Sequence, residues 1–113
     1  MKIYHNPRCS KSREALNLIK EQGVEPEVVE YLKTPPSAAE LQDLLKLLKL
    51  RPRDIIRSKD ESFAALKLNL DDDKAVLAAL VKHPELLERP IVVQGSQAVV
   101  ARPPERVREL FPR

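Results

Sequence analysis

The chain opens on a short run, Lys2 to His5, with Ile3 and Tyr4 at its centre and Asn6-Pro7 closing it. That pattern predicts a first strand followed by a turn. From Ser10 to Gln22 the apolar residues Ala15, Leu16, Leu18 and Ile19 return at helical spacing, and Gly23 supplies a natural stop. Glu27 to Tyr31 then reads as a second strand. The opening is therefore β-α-β, for which a parallel pair with a right-handed crossover is expected.

Pro35-Pro36 breaks this pattern. Ser37-Ala38-Ala39-Glu40 has the Ser-x-x-Glu form of a capping box, and the helix it opens carries Leu41, Leu44, Leu45 and Leu48 on one face. Pro52 to Ile56 suggests a short helix and Ser62 to Leu66 another. Asp71-Asp72-Asp73 opens a further helix through about Lys82, its negative charge complementing the helix N-terminus, and Pro84 ends it. Ile91 to Gln94 and Ala98 to Ala101 flank Gly95-Ser96 as the arms of a hairpin. Pro103-Pro104 starts a last helix holding Val107, Leu110 and Phe111. The order β-α-β, helical insert (about 37–87), β-hairpin, α is that of a thioredoxin-like α/β domain with a mixed sheet, here spanning 1–113.

Composition narrows the function. A chain of 113 residues holds one domain, with a core large enough to need no disulfide or metal staple. The formal net charge of +3 comes with interspersed opposite charges and no basic run, so a solvated surface is expected and not a nucleic-acid interface. No long apolar run is present, so neither a membrane span nor a signal peptide is expected. The single cysteine excludes an internal disulfide and suits a reducing cytoplasm. The Asp71-Asp72-Asp73 run lacks the spaced oxygen ligands of a calcium loop, so no metal is expected. His83, at a helix end before Pro84, needs no catalytic role.

Cys9 carries the chemistry. It falls between the first turn and the first helix, where the backbone N–H groups of Ser10, Lys11 and Ser12 have no intrahelical partners. Those groups, the helix dipole and the cations Arg8, Lys11 and Arg13 all favour a thiolate, the nucleophilic form of the side chain. A lone cysteine is often only a small buried hydrophobe. The polar neighbours of Cys9 and the absence of apolar periodicity through it argue against that here. The same helix start suits an anion, and Arg57, Arg89 and Arg102 are candidate cations to receive one. Arg89 and Arg102 each precede a proline beside the hairpin. Cys9-Ser10-Lys11-Ser12 is Cys-x-x-Ser, so any adduct on Cys9 requires an external thiol to resolve it.

These residues resemble the glutaredoxin-coupled arsenate reductases. His5-Asn6-Pro7-Arg8-Cys9-Ser10-Lys11-Ser12-Arg13 is similar to their active-site stretch, and Tyr31 to Pro36 resembles the segment after their second strand. Arg89-Pro90-Ile91-Val92-Val93 and Arg102-Pro103-Pro104-Glu105 resemble their later arginine motifs; similarity runs from Lys2 to about Leu110. The resemblance implies that Cys9 attacks arsenate, with glutathione as co-substrate, glutaredoxin as reductant and no tightly bound cofactor. It places Arg57, Arg89 and Arg102 around the oxyanion, has His5 keep Cys9 ionised and Ser12 hydrogen-bond the thiolate, and matches Pro90 to a cis-proline beside the cysteine. The chain also ends soon after the last predicted helix, without the extension of some arsenate reductases. Two alternatives follow: a general glutathione-dependent thiol reductase, and a non-enzymatic regulator like the related Spx proteins that bind RNA polymerase. Ser12 stands where the second cysteine of the Spx switch would be.

Overall fold

Four short strands form one mixed sheet in the order β2-β1-β3-β4: β1 Lys2–His5, β2 Glu27–Glu30, β3 Ile91–Gln94 and β4 Gln97–Val100. The computed structural model describes Met1 to Phe111. β1 runs parallel to β2, with Ile3 opposite Val28, and antiparallel to β3, with Ile3 opposite Val92. β3 and β4 form a hairpin around Gly95-Ser96, and the φ of +59° at Gly95 is the kind of turn geometry that favours glycine. Two compact units make up the chain: Met1–Thr34 with everything from Arg89 onwards, and Pro35–Glu88. The stretch expected as an insert, 37–87, lies within the second.

In the first unit, α1 (Ser10–Glu21) buries Ala15 and Ile19 in one cluster with Ile3, Val92 and Val99 of the sheet. Gly23, at φ +78°, follows its C-cap, and the Gly23 N–H bonds the Lys20 carbonyl. Ile3 and His5 lie two residues apart and so project from the same face of β1. The last element, Pro104–Leu110, is a 3-10 helix. Its buried residues Pro104, Val107 and Leu110 recur every third position, which matches three residues per turn. Val107 and Leu110 complete the cluster, and Phe111 packs against it from just beyond the helix end.

The strand expected to reach Tyr31 stops at Glu30. The N–H groups of Lys33 and Thr34 both turn back to the Glu30 carbonyl at 2.9 Å, which bends the chain out of the sheet and leaves Tyr31 buried in the turn.

The second unit holds α2 (Ala38–Leu48), a 3-10 turn Pro52–Ile55, α3 (Glu61–Ala64), α4 (Asp73–Lys82) and a second 3-10 turn, Pro84–Leu86. Ser37 caps α2 by accepting the Glu40 N–H, and Leu41, Leu44 and Leu45 are buried while Leu48 is half-buried. Asp72 caps α4 by accepting the Ala75 N–H, whereas Asp71 and Asp73 pair with Arg53 and Arg51 at 2.6 and 3.0 Å. The acidic run is thus spent on one cap and two ion pairs. The helix expected over Ser62 to Leu66 is instead the single turn Glu61–Ala64, and the chain leaves it through Lys67 in a left-handed conformation (φ +51°). An antiparallel bridge between Ile56 and Leu87 draws the two ends of this unit together. Among the described residues no helix is long and apolar enough to cross a membrane.

Candidate active site

Cys9 is the N-cap of α1, half-buried, in extended conformation (φ −93°, ψ 121°). Its placement begins with Asn6. The Cys9 N–H bonds the Asn6 carbonyl at 3.0 Å, closing a turn with Pro7 at its second position, where the fixed φ of proline fits. The Asn6 side-chain oxygen accepts the Arg8 N–H at 3.0 Å, a local Asx contact that stiffens the same turn. On the helix side, the Arg13 N–H bonds the Cys9 carbonyl, and the Arg13 guanidinium donates to the Pro7 carbonyl at 2.8 Å. Asn6 was not among the sequence candidates for the site. Its signal was present, since Asn before Pro is a standard turn-former that accepts from its own backbone.

The sulfur closes no full side-chain cap bond to the helix. Burial alone would raise its pKa. That effect is outweighed by the Ser12 N–H, the hydrogen bond and charge of the Arg89 guanidinium, and the Lys11 N–H, which together hold the thiol below its ordinary value. The cation acting on the sulfur is therefore one from far along the chain. Its sequence neighbours are engaged differently, Arg13 with Pro7 and Arg8 on the wall of a pocket beside the turn.

His5 and Ser12 are both buried, and His5 Nδ1 lies 2.6 Å from the Ser12 hydroxyl oxygen. That oxygen also accepts the Asn6 N–H at 3.1 Å. Burial lowers the His5 pKa; the charge of Glu30 opposes this, while Arg13 and Lys20 add to it, and the net position is below the ordinary histidine value. A neutral imidazole with its proton on Nε2 satisfies the set, with Ser12 donating to Nδ1 and accepting from Asn6. In this tautomer the Ser12 hydroxyl hydrogen is directed at His5, and the Ser12 backbone N–H faces the sulfur. In the other, with the proton on Nδ1, the hydroxyl accepts from both His5 and Asn6 and its hydrogen is available to the thiolate.

Ser12→Ala is expected to leave His5 Nδ1 and the Asn6 N–H without their partner and to destabilise the fold by about 1–3 kcal/mol, the usual cost of orphaning buried polar groups. Urea unfolding measures this; a change below about 0.5 kcal/mol would show that the contact carries no stability.

The arginines are distributed unequally. Arg89 is half-buried, and its Nε is a buried donor without a partner in the protein. The Arg89–Pro90 peptide is cis, as is Arg102–Pro103, and the Pro90 carbonyl accepts the Ala101 N–H at 2.9 Å. Arg102 is exposed and reaches the Arg89 carbonyl at 3.4 Å, which places the two arginine motifs side by side. Arg57 belongs to the second unit, where it pairs with Asp60 at 3.2 Å and extends to the Glu85 carbonyl at 3.4 Å. Within the first unit, then, the structure joins Cys9, Arg89 and Arg102.

A half-buried thiol at a helix start, below its ordinary pKa and beside a guanidinium with a spare buried donor, is a candidate nucleophile on a thioredoxin-like fold. The ArsC family profile matches residues 4–110, and the chain belongs to that family. It is 54% identical to the uncharacterised protein YfgD of Escherichia coli K12, over 97% of this chain and 95% of that one. It is 50% identical to an arsenate reductase of Neisseria meningitidis, over 95% and 94%. Among solved structures, the arsenate reductase from Vibrio cholerae superposes with a TM-score of 0.90 at 46% identity, covering 97% of this chain and 96% of that one.

Proposed function

We propose that this protein is an oxidoreductase that reduces arsenate to arsenite with electrons from glutathione and glutaredoxin. The observation that carries the reading is the contact of the Arg89 guanidinium with the Cys9 sulfur, because it puts a nucleophile and an anion receptor at one point. Two anions, a thiolate and an oxyanion, repel unless a cation lies between them, and Arg89 occupies that place with Arg102 adjoining it. Its spare Nε–H suits an oxyanion oxygen.

The steps balance as follows. The Cys9 thiolate bonds to arsenic and one oxygen leaves as water. Glutathione bonds to the same arsenic and a second oxygen leaves as water. A glutaredoxin thiol then attacks the glutathione sulfur; the sulfur–sulfur bond forms, and the electron pair of the broken sulfur–arsenic bond stays on arsenic, now As(III). Water releases arsenite and returns Cys9. The protein needs no second cysteine because the disulfide forms between its partners, in keeping with a reducing cytoplasm.

The test is a coupled assay with arsenate, glutathione and glutaredoxin. Arsenite formation that requires all three is the expected result. Arsenate left unreduced while glutathionylated peptides are turned over would replace this reading with that of a general glutathione-dependent thiol reductase.

A further inference from the structure

The turn that delivers Cys9 is held by two side chains whose hydrogen bonds meet on a single peptide. Its main-chain bond runs from the Cys9 N–H to the Asn6 carbonyl, and the central peptide, Pro7–Arg8, takes no part in it. In such turns the orientation of the central peptide is what separates type I from type II. Here both of its ends are occupied. The Asn6 side-chain oxygen accepts the Arg8 N–H at 3.0 Å, and the Arg13 guanidinium donates to the Pro7 carbonyl at 2.8 Å. Arg8 keeps a negative φ, whereas the flipped peptide needs a positive φ at this third position, costly for a residue with a side chain.

The two contacts differ in reach. Asn6 acts within its own turn, whereas Arg13 belongs to the first turn of α1, and its backbone N–H bonds the Cys9 carbonyl at 3.0 Å. One residue thus grips the chain at the Pro7 carbonyl with its side chain and at the Cys9 carbonyl with its backbone. The exposed guanidinium is spent on an uncharged main-chain oxygen. Its charge is felt at His5, so it lies over the turn. The groups that favour the charged sulfur are others: the Ser12 and Lys11 N–H groups and Arg89. Two of these three are fixed in the helix while the turn carries the sulfur, and such bonds weaken steeply once misaligned. The sulfur therefore depends on a tie between turn and helix, and Arg13 supplies one.

We propose that Arg13 is a positioning residue for the reaction at Cys9: by holding the Pro7 carbonyl, its guanidinium keeps the turn in one form and the sulfur aligned with the N–H groups of α1. This role rests on the reading of Cys9 as the nucleophile. It is independent of which oxyanion the sulfur attacks, because Arg13 acts through the turn and not on the substrate.

The experiment compares Arg13→Met, which keeps the stem and removes the donor, with Arg13→Lys, which keeps a charged donor. Iodoacetamide alkylation of Cys9 is followed against pH at low and high salt, and exchange of the Cys9 amide proton is followed by NMR. In Arg13→Met the alkylation midpoint is expected to move upward, with rates below it falling about three- to tenfold. The Cys9 amide, which bonds Asn6, is expected to exchange about tenfold faster while the Ile19 amide in the same helix is unchanged. Arg13→Lys is expected to recover more than half of each effect, and arsenate reduction in Arg13→Met slows in step with alkylation. A midpoint shift that vanishes in high salt would assign the effect to charge alone and overturn the clamp. An alkylation profile and a Cys9 exchange rate both unchanged in Arg13→Met overturn it as well, even if arsenate is still reduced; the function then stands without this residue. Faster exchange at Ile19 as much as at Cys9 would mean that the helix as a whole had loosened, which also overturns it. The expected shifts in a protein that reduces no arsenate support the positioning role and remove the arsenate reading instead.

Discussion

Cys9→Ser is expected to lose arsenate reduction by about three orders of magnitude or more while the stability of the fold changes by less than about 1 kcal/mol. The two effects differ in size because they come from different atoms. Activity rests on a sulfur whose pKa is held below the ordinary thiol value, and a serine hydroxyl has no such ionised form to offer. Stability responds to the cap: the Ser12 and Lys11 N–H groups face the sulfur, and serine, among the best N-cap residues, offers its oxygen to the same donors while giving up the charge that they favour. These changes offset one another to within about 1 kcal/mol. The turn itself is kept, since Cys9 holds it through its backbone N–H and carbonyl. A coupled assay and urea unfolding read the two effects. Activity retained in Cys9→Ser would remove Cys9 as the nucleophile, and a loss of stability above about 2 kcal/mol would mean that the sulfur was packed rather than poised.

Arg89→Ala is the second large effect. Considered from sequence, it should weaken oxyanion binding and leave Cys9 alkylation largely intact. The structure changes that expectation, because the guanidinium acts on the sulfur itself. Removing it takes away a hydrogen bond to the charged form and a neighbouring positive charge, so the thiol pKa rises. Iodoacetamide alkylation followed against pH should show its midpoint move upward. The variant then reacts more slowly at neutral pH and at the same rate once the pH exceeds both midpoints. The kcat/KM for arsenate is expected to fall about 10- to 100-fold, the scale of one charged hydrogen bond. Arg89→Lys should restore part of the alkylation shift but little of the arsenate effect, since a lysine supplies charge without the planar fork that receives an oxyanion. An alkylation profile identical to that of the unaltered protein would refute the contact.

Much of the site was legible from sequence. The Asn-Pro turn, the helix beginning at Ser10 and the cysteine between them are neighbours in the chain, and short-range rules locate all three. What went unseen was pairing. Arg89 and Arg102 shared the same signal, an arginine before a proline beside the hairpin, and nothing in it marked Arg89 as the one whose hydrogen bond and charge act on the sulfur. His5 and Ser12 both stood out, and their mutual bond at 2.6 Å, which turns their polar groups toward each other, did not.

By itself the sequence determined where most elements begin and end. Gly23 terminates α1, Ser37 and Asp72 start their helices, Gly95 allows the hairpin, and the three-residue spacing of Pro104, Val107 and Leu110 suits the last helix. These are contests between backbone conformations settled within a few residues. Only the tertiary structure decided that β1 lies between β2 and β3, that Arg89 returns to Cys9 and that a polar pair is buried beneath the turn. Those outcomes depend on which surfaces meet once Ile3, Ile19, Val92 and Val107 leave water together, and apolar burial is non-directional. The electrostatic state of the sulfur draws on both levels: the Ser12 and Lys11 N–H groups follow from its place at the helix start, whereas the Arg89 charge reaches it only through that packing.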